Sequence, residues 1–154
     1  MRTIIALSLL VLHGGATHSI EGSYVARTMN GHVLPAELRI PATEGDFRLF
    51  RLEQGVLRLS EHGKFTLYFR YYHQLVPRGN RPTSTPVLSD SETGTYKVQM
   101  GKMILTPARK QGSKSRAPIT ATIVGDEIRA SYLLQNGTSP QLVTLILRRD
   151  LSFW

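Results

Sequence analysis

Apolar and polar residues alternate along most of the chain beyond residue 21, and turn residues interrupt this alternation every eight to twelve positions. The clearest example is the segment 64–72, in which Phe65, Leu67, Phe69 and Tyr71 are each separated by one more polar position. A period of two places alternate side chains on opposite faces of a β-strand. The pattern therefore predicts an all-β protein whose strands each bury one face.

Short turn signals join the predicted strands into successive hairpins. His62-Gly63, Gly101 and Gly125-Asp126 each lie between two alternating segments, and glycine readily adopts the positive φ of tight hairpin turns. Residues 76–93 hold three prolines and no alternation, which predicts a long loop. The predicted strands cover residues 22–29, 47–52, 56–59, 64–72, 95–100, 102–105, 119–124, 127–134 and 142–147, with a further short extended piece at 38–40.

The number and order of these strands favour a closed barrel. Eight or nine sequential antiparallel strands with short connections form a meander, and closure removes the two exposed edges of such a sheet. A β-sandwich usually has longer Greek-key crossings. We therefore predict an all-β, antiparallel up-and-down barrel of eight to nine strands in one domain.

The first 16 residues have the composition of a secretion signal. Arg2 precedes the apolar run 4–12, and Gly14-x-Ala16 supplies the small residues of a cleavage site. The apolar run is shorter than the about 20 residues that a transmembrane helix needs. We expect a signal peptide at residues 1–16, a mature domain at 17–154 and export to the periplasm or the exterior, with a buried first strand as the alternative.

Composition narrows the range of partners. The absence of cysteine excludes disulfides, thiolate metal sites and a cysteine nucleophile. The formal net charge is +8, but the basic residues are spread over the strands as on solvated outer faces, and we expect no nucleic-acid partner. Residues 107–118 are the exception, because Arg109, Lys110, Lys114 and Arg116 form a basic run. This run predicts either a weak, salt-sensitive contact with an anionic envelope surface or a solvated hairpin tip.

No spacing of side chains in the sequence predicts a catalytic or metal site. The histidines lack the short spacing of zinc ligands, and there is neither a G-x-S-x-G elbow nor a glycine-rich phosphate loop. Asp90-Ser91-Glu92 resembles the start of a calcium-binding loop, but the twelfth position of that loop falls on Gly101 instead of a glutamate. We therefore expect no catalytic residues, no metal and no cofactor.

The strand starts and turns resemble those of small bacterial exported proteins with a lipocalin-like (calycin-type) barrel. Gly22-Ser23-Tyr24 and the segment 30–35 are similar to their G-T-W/Y and N-G-x-x-L-P start, and Gly94-Thr95-Tyr96 is similar to their G-T-Y strand start. The resemblance implies that Tyr24 packs under Arg148 or Arg149 and that this cation–π pair, with Gly22, closes the barrel base. It extends over residues 57–59, 62–65, 125–128 and 147–149.

The interior of an eight-stranded barrel is either filled by side chains or just wide enough for one small ligand. A filled core is the simpler interpretation, and the small residues Ala121, Ala130 and Thr144 are compatible with it. In a hollow barrel, we expect the loop 76–93 to cover the mouth. The predicted wall then consists of Phe65, Leu67, Phe69, Tyr71, Tyr96, Met100 and Tyr132.

Three functions remain open at this point. The first is a non-enzymatic exported protein that holds a small apolar or amphipathic ligand in its barrel. The second is a filled barrel whose loops contact another protein or the cell envelope. The third and least favoured is an enzyme that acts at the barrel mouth, since no acid–base constellation can be named for it.

Overall fold

The computed structural model describes residues 19–109, 116–134 and 140–152. The expected signal peptide lies outside the described residues, as do Lys110 and Lys114 of the basic run. The described chain contains one 3₁₀ turn, Thr43–Gly45, and ten strands. The strands are β1 (Gly22–Met29), β2 (His32–Val33), β3 (Ala36–Pro41), β4 (Phe47–Leu59), β5 (Lys64–Val76), β6 (Leu88–Gln99), β7 (Lys102–Pro107), β8 (Ile119–Val124), β9 (Glu127–Leu134) and β10 (Gln141–Arg149).

Eight of the strands close into an antiparallel barrel. Strands β4 to β10 are neighbours in chain order, and β1 completes the circle by pairing with both β10 and β4. The remaining strands β2 and β3 extend the sheet, with β3 paired to the first half of β4. The predicted all-β up-and-down barrel is confirmed. Because β1 pairs with both β10 and β4, neither of these two strands is left with an unpaired edge along its whole length.

Several strand boundaries differ from those that the sequence predicts, and the largest differences are in β4 and β6. The segments 47–52 and 56–59 form one continuous strand, β4, which accommodates an irregularity between Leu52 and Gln54. Strand β6 begins at Leu88, inside the segment that was expected to be a loop, because residues 88–95 pair in register with β5. The start of β6 is rich in serine, threonine and acidic residues, so its apolar alternation is absent although its strand pairing is regular.

Tight turns gather at one end of the barrel, which we call the base. The β4–β5, β6–β7 and β8–β9 hairpins all turn there, and β1 starts and β10 ends there as well. In the β6–β7 turn, Met100 and Gly101 have φ values of 50° and 72°. Two successive positive φ values define the tight turn that follows the right-handed twist of the strands. The opposite end of the barrel carries the longer connections and is called the mouth.

Side chains fill the base half of the barrel. Tyr24, Leu57, Leu59, Phe65, Leu67, Met103, Leu105, Ile128 and Leu147 are all buried there in one apolar cluster. Ala121 and Ala130 face each other in register between β8 and β9 and belong to the same cluster, whereas Thr144 is exposed. The sequence allowed a filled core, and the base half of the barrel has one.

The Tyr24 side chain closes the base under an arginine. Its ring is 4% exposed, and the Arg149 guanidinium carbon lies 5.7 Å from the ring centroid, within cation–π distance. The phenol oxygen of Tyr24 donates to the carbonyl of Ile20 at 2.8 Å. The Arg149 guanidinium also donates to the carbonyls of Ser19 and Glu21, so one side chain ties the incoming chain to the last strand.

Arg148 lies on the outer face of the barrel, away from Tyr24. Its guanidinium forms an ion pair with Glu127 on the neighbouring strand, with nitrogen–oxygen distances of 2.8 Å and 2.9 Å. Adjacent residues of a strand point to opposite faces, so only one of the two arginines can reach the base. Gly22 lies against Arg149, and a Cβ atom added to it would stand 3.6 Å from Nε of that arginine.

Candidate ligand-binding site

A cavity of about 480 Å³ occupies the mouth half of the barrel. Its volume falls within the range of about 300–1,000 Å³ that is usual for small-molecule sites. The wall is contributed by strands β1, β4, β5, β6, β8, β9 and β10. Its apolar part includes Met29, Phe50, Leu52, Phe69, Val143 and Leu145. The barrel is therefore packed in one half and hollow in the other.

Strand β5 crosses from the packed half into the hollow half. Its inward residues alternate along the strand, so Phe65 and Leu67 are buried in the base cluster while Phe69 and Tyr71 line the cavity. The expected wall is thus divided between two environments on the same face of one strand. The floor of the cavity therefore lies between the levels of the inward residues Leu67 and Phe69 along β5.

Aromatic rings form two contacting pairs in the cavity wall. Phe69 and Tyr132 lie 5.3 Å apart between ring centroids with planes inclined by 62°, an edge-to-face arrangement. Phe50 and Tyr71 are also 5.3 Å apart, with planes inclined by 31°. These pairs bridge β5 to β9 and β5 to β4, so they fix the positions of four large side chains around the ligand space.

Two of the expected wall residues lie elsewhere. Met100 is 90% exposed, because it occupies the first position of the tight β6–β7 turn at the base, so its expected place on the inner wall is wrong. Tyr96 faces inward but is close to the base, where its hydroxyl donates to the carbonyl of Ser60 at 2.9 Å. Of the seven predicted wall residues, Phe69, Tyr71 and Tyr132 line the cavity.

A polar cluster forms one side of the cavity. Arg116 precedes β8, and its Nη1 atom donates to the Tyr132 hydroxyl at 3.0 Å. The same guanidinium lies 3.4 Å from a carboxylate oxygen of Asp90 and 3.4 Å from one of Glu92. The basic run that contains Arg116 predicted a contact with an anionic surface or a solvated hairpin tip, whereas the Arg116 guanidinium contacts groups of the cavity wall. Arg109, from the same run, is exposed.

Sequence reasoning missed Asp90 and Glu92 as cavity residues. They pair in register with Phe69 and Leu67, and paired residues of neighbouring strands share one face of the sheet, so both carboxylates face inward. The available signal was their spacing, because Asp90, Glu92, Gly94 and Tyr96 repeat with a period of two. Inward positions are usually apolar, so the acidic residues at these positions hid the first half of β6 from the prediction.

The Tyr132 phenol is a neutral hydrogen-bonding group in this environment. Burial raises the pKa of Tyr132 to about 12, the nearby Glu92 carboxylate adds to the effect, and the Arg116 guanidinium opposes it. The phenol therefore remains protonated at neutral pH. The cavity wall consequently offers a hydroxyl, two carboxylates and a guanidinium beside a largely apolar surface.

The described residues include no group of three or more histidine, cysteine or acidic side chains placed to hold a metal ion. No helix within the same ranges is long and apolar enough to cross a bilayer. No protein-family model matches the chain, and no match is found among curated proteins. The site must therefore be interpreted from its own geometry.

Proposed function

We propose that this protein is an exported, lipocalin-like binding protein that holds one small apolar or amphipathic molecule in the mouth half of its barrel. The cavity of about 480 Å³ carries the proposal. Its apolar wall suits the body of such a ligand, and its few convergent polar groups suit a head group. The packed base supplies a rigid support, which keeps the wall residues in place around a ligand.

Further features of the chain support the class of protein. The closed up-and-down barrel and the Tyr24–Arg149 contact are those that a lipocalin-like sequence implies. The apolar N-terminal run of the sequence supports export. We propose binding without catalysis, and the apolar wall of the cavity supports binding.

Binding of the apolar fluorophore N-phenyl-1-naphthylamine tests this function. The wild-type protein should enhance its fluorescence with saturable, one-to-one stoichiometry. Leu134 is half-buried at the mouth end of β9 and lines the cavity, so Leu134→Trp should occupy the ligand space and abolish the enhancement while the free energy of unfolding stays close to that of the wild type.

Leu67→Trp is the matched control, because Leu67 is buried just below the cavity floor. The added volume has no space there and should reduce the free energy of unfolding by about 1–3 kcal/mol through overpacking. Equal fluorescence enhancement by the wild type and a folded Leu134→Trp variant would show that the fluorophore binds elsewhere. Absence of binding by the wild type for this fluorophore and for alkyl amphiphiles would refute the proposed function.

A further inference from the structure

Glu92 is an unusual residue for the inside of a barrel. Its side chain is 8% exposed, and among the described residues Glu92 is the only buried one with a charged side chain. Burial of a carboxylate is costly unless charge partners or hydrogen bonds compensate for it. An apolar residue at this inward position would extend the packed core, so a carboxylate here shapes the cavity at the expense of packing.

Among the described residues, a second carboxylate and a guanidinium lie beside Glu92 on the polar side of the cavity. Asp90 precedes Glu92 by two positions and shares its inward face. Arg116 reaches both at 3.4 Å, a longer distance than the about 2.7–2.9 Å of a strong charge-assisted hydrogen bond. Its side chain is 44% exposed and enters from the connection before β8, whereas Glu92 belongs to the strand wall. Glu92 is therefore the deepest group of the cluster, whereas the Asp90 side chain, 38% exposed, lies nearer the solvent.

The aromatic wall adds a second preference for positive charge. Phe69, Tyr71 and Tyr132 line the same cavity as the two carboxylates. The face of an aromatic ring attracts a cation within about 6 Å of its centroid, and the attraction grows when the cation is desolvated. An anionic head group would instead meet two carboxylates of its own sign at short range.

We propose that the cavity selects amphipathic ligands with a cationic nitrogen head, which binds Glu92 and Asp90 beside the aromatic wall, and that the Arg116 guanidinium is a built-in competitor for these carboxylates. The inference rests on the proposed function and names the class of ligand. A ligand amine takes over the contacts of Arg116, and the released guanidinium turns towards solvent through its exposed side.

Displacement of bound N-phenyl-1-naphthylamine by octylamine, octanoate and octanol at neutral pH tests the inference, with direct calorimetric titration of each compound beside it. The three compounds share one alkyl chain and differ only in the head group. Octylamine should bind at least about tenfold more tightly than octanoate, the ratio expected for one charge-assisted hydrogen bond. Octanol should lie between them.

Two variants separate the roles of the charged groups. Glu92→Gln keeps the shape of the side chain and should remove most of the preference for octylamine. Arg116→Ala removes the competitor and should tighten octylamine binding several-fold. Arg58→Ala, on the exposed outer face of β4, is the matched control and should change neither affinity. Thermal unfolding verifies that each variant is folded, and Arg116→Ala alone decides the question should Glu92→Gln fail to fold.

A preference of the wild type for octanoate that Arg116→Ala abolishes would overturn the inference, because the head group would then be an anion bound by the guanidinium. Equal affinities for the three compounds would overturn it as well. Both outcomes leave the proposed binding function intact. Failure of every compound and of the fluorophore to bind the wild type would instead refute the proposed function.

Discussion

Gly94 is the position where a single methyl group should disturb the barrel most. A Cβ atom built on Gly94 would lie 2.1 Å from the Thr106 carbonyl oxygen and 2.9 Å from the Pro107 Cα atom, both in the backbone of β7. It would also lie 2.7 Å from the ring of Phe65. Contacts below 3.0 Å do not persist, so β7 must retreat by roughly an ångström from a strand that it pairs with.

The expected cost of Gly94→Ala follows from these contacts. Overpacking that a side-chain rotation cannot relieve costs about 1–3 kcal/mol. Each β6–β7 ladder hydrogen bond lost in the retreat adds about 1 kcal/mol. The reduced entropy of the unfolded chain returns about 0.4–1 kcal/mol. We therefore expect Gly94→Ala to lower the free energy of unfolding by about 3 kcal/mol.

Gly55→Ala is the matched comparison within the same barrel. Its added Cβ would meet the Ala26 Cβ at 3.1 Å and the Phe69 ring at 3.3 Å, distances that a shift of a few tenths of an ångström relieves. This variant should lose less than about 1 kcal/mol, within the range of a mild core change. Urea denaturation followed by circular dichroism measures both values. A Gly94→Ala variant as stable as Gly55→Ala would show that β6 and β7 do not approach so closely, and would refute the reasoning.

Two further predictions concern tyrosines at opposite ends of the barrel. Tyr24→Ala should lower the free energy of unfolding by about 3 kcal/mol, as expected for a large aromatic truncation in a core. Arg148→Ala should cost less than about 1 kcal/mol, because its ion pair with Glu127 is on the surface. Equal losses of the two variants in urea denaturation would contradict the assignment of Arg149 to the base. Because burial raises the pKa of Tyr132 from 10.0 to about 12, its contribution to stability should be complete below pH 10 and disappear as the pH rises through about 12. The alkaline decline in melting temperature should be shallower in Tyr132→Phe, and an unchanged pH profile would count against the buried phenol.

The strand order could be predicted from the sequence because it depends on local signals, and closure because a meander of this length would otherwise expose two edges. The alternation of Phe65, Leu67, Phe69 and Tyr71 sets the faces of β5, and glycine at 63 and 101 marks tight turns. Tyr24 at the base was expected from the resemblance, but the choice between two adjacent arginines depended on the strand register, which places Arg149 opposite Tyr24.

The candidate site was harder to predict, because a cavity depends on the sum of volumes from seven strands. Four large residues on β5 could not reveal that two of them pack in the base and two line the cavity. Met100 was misplaced because a residue at the end of an alternating segment entered the turn. Asp90 and Glu92 were missed because their inward orientation depends on pairing with β5, which the neighbouring proline-rich segment concealed.

A barrel that is packed at one end and hollow at the other separates the residues that determine ligand binding from those that determine stability. Changes at Val143 or Phe50 alter the space offered to a ligand, while the contacts of Tyr24 and Leu147 at the other end are preserved. Substitutions at separate sites that share no contacts act almost independently on stability. A lineage built on this scaffold can therefore diversify its ligands by substitution near the mouth and inherit the stability of its base unchanged.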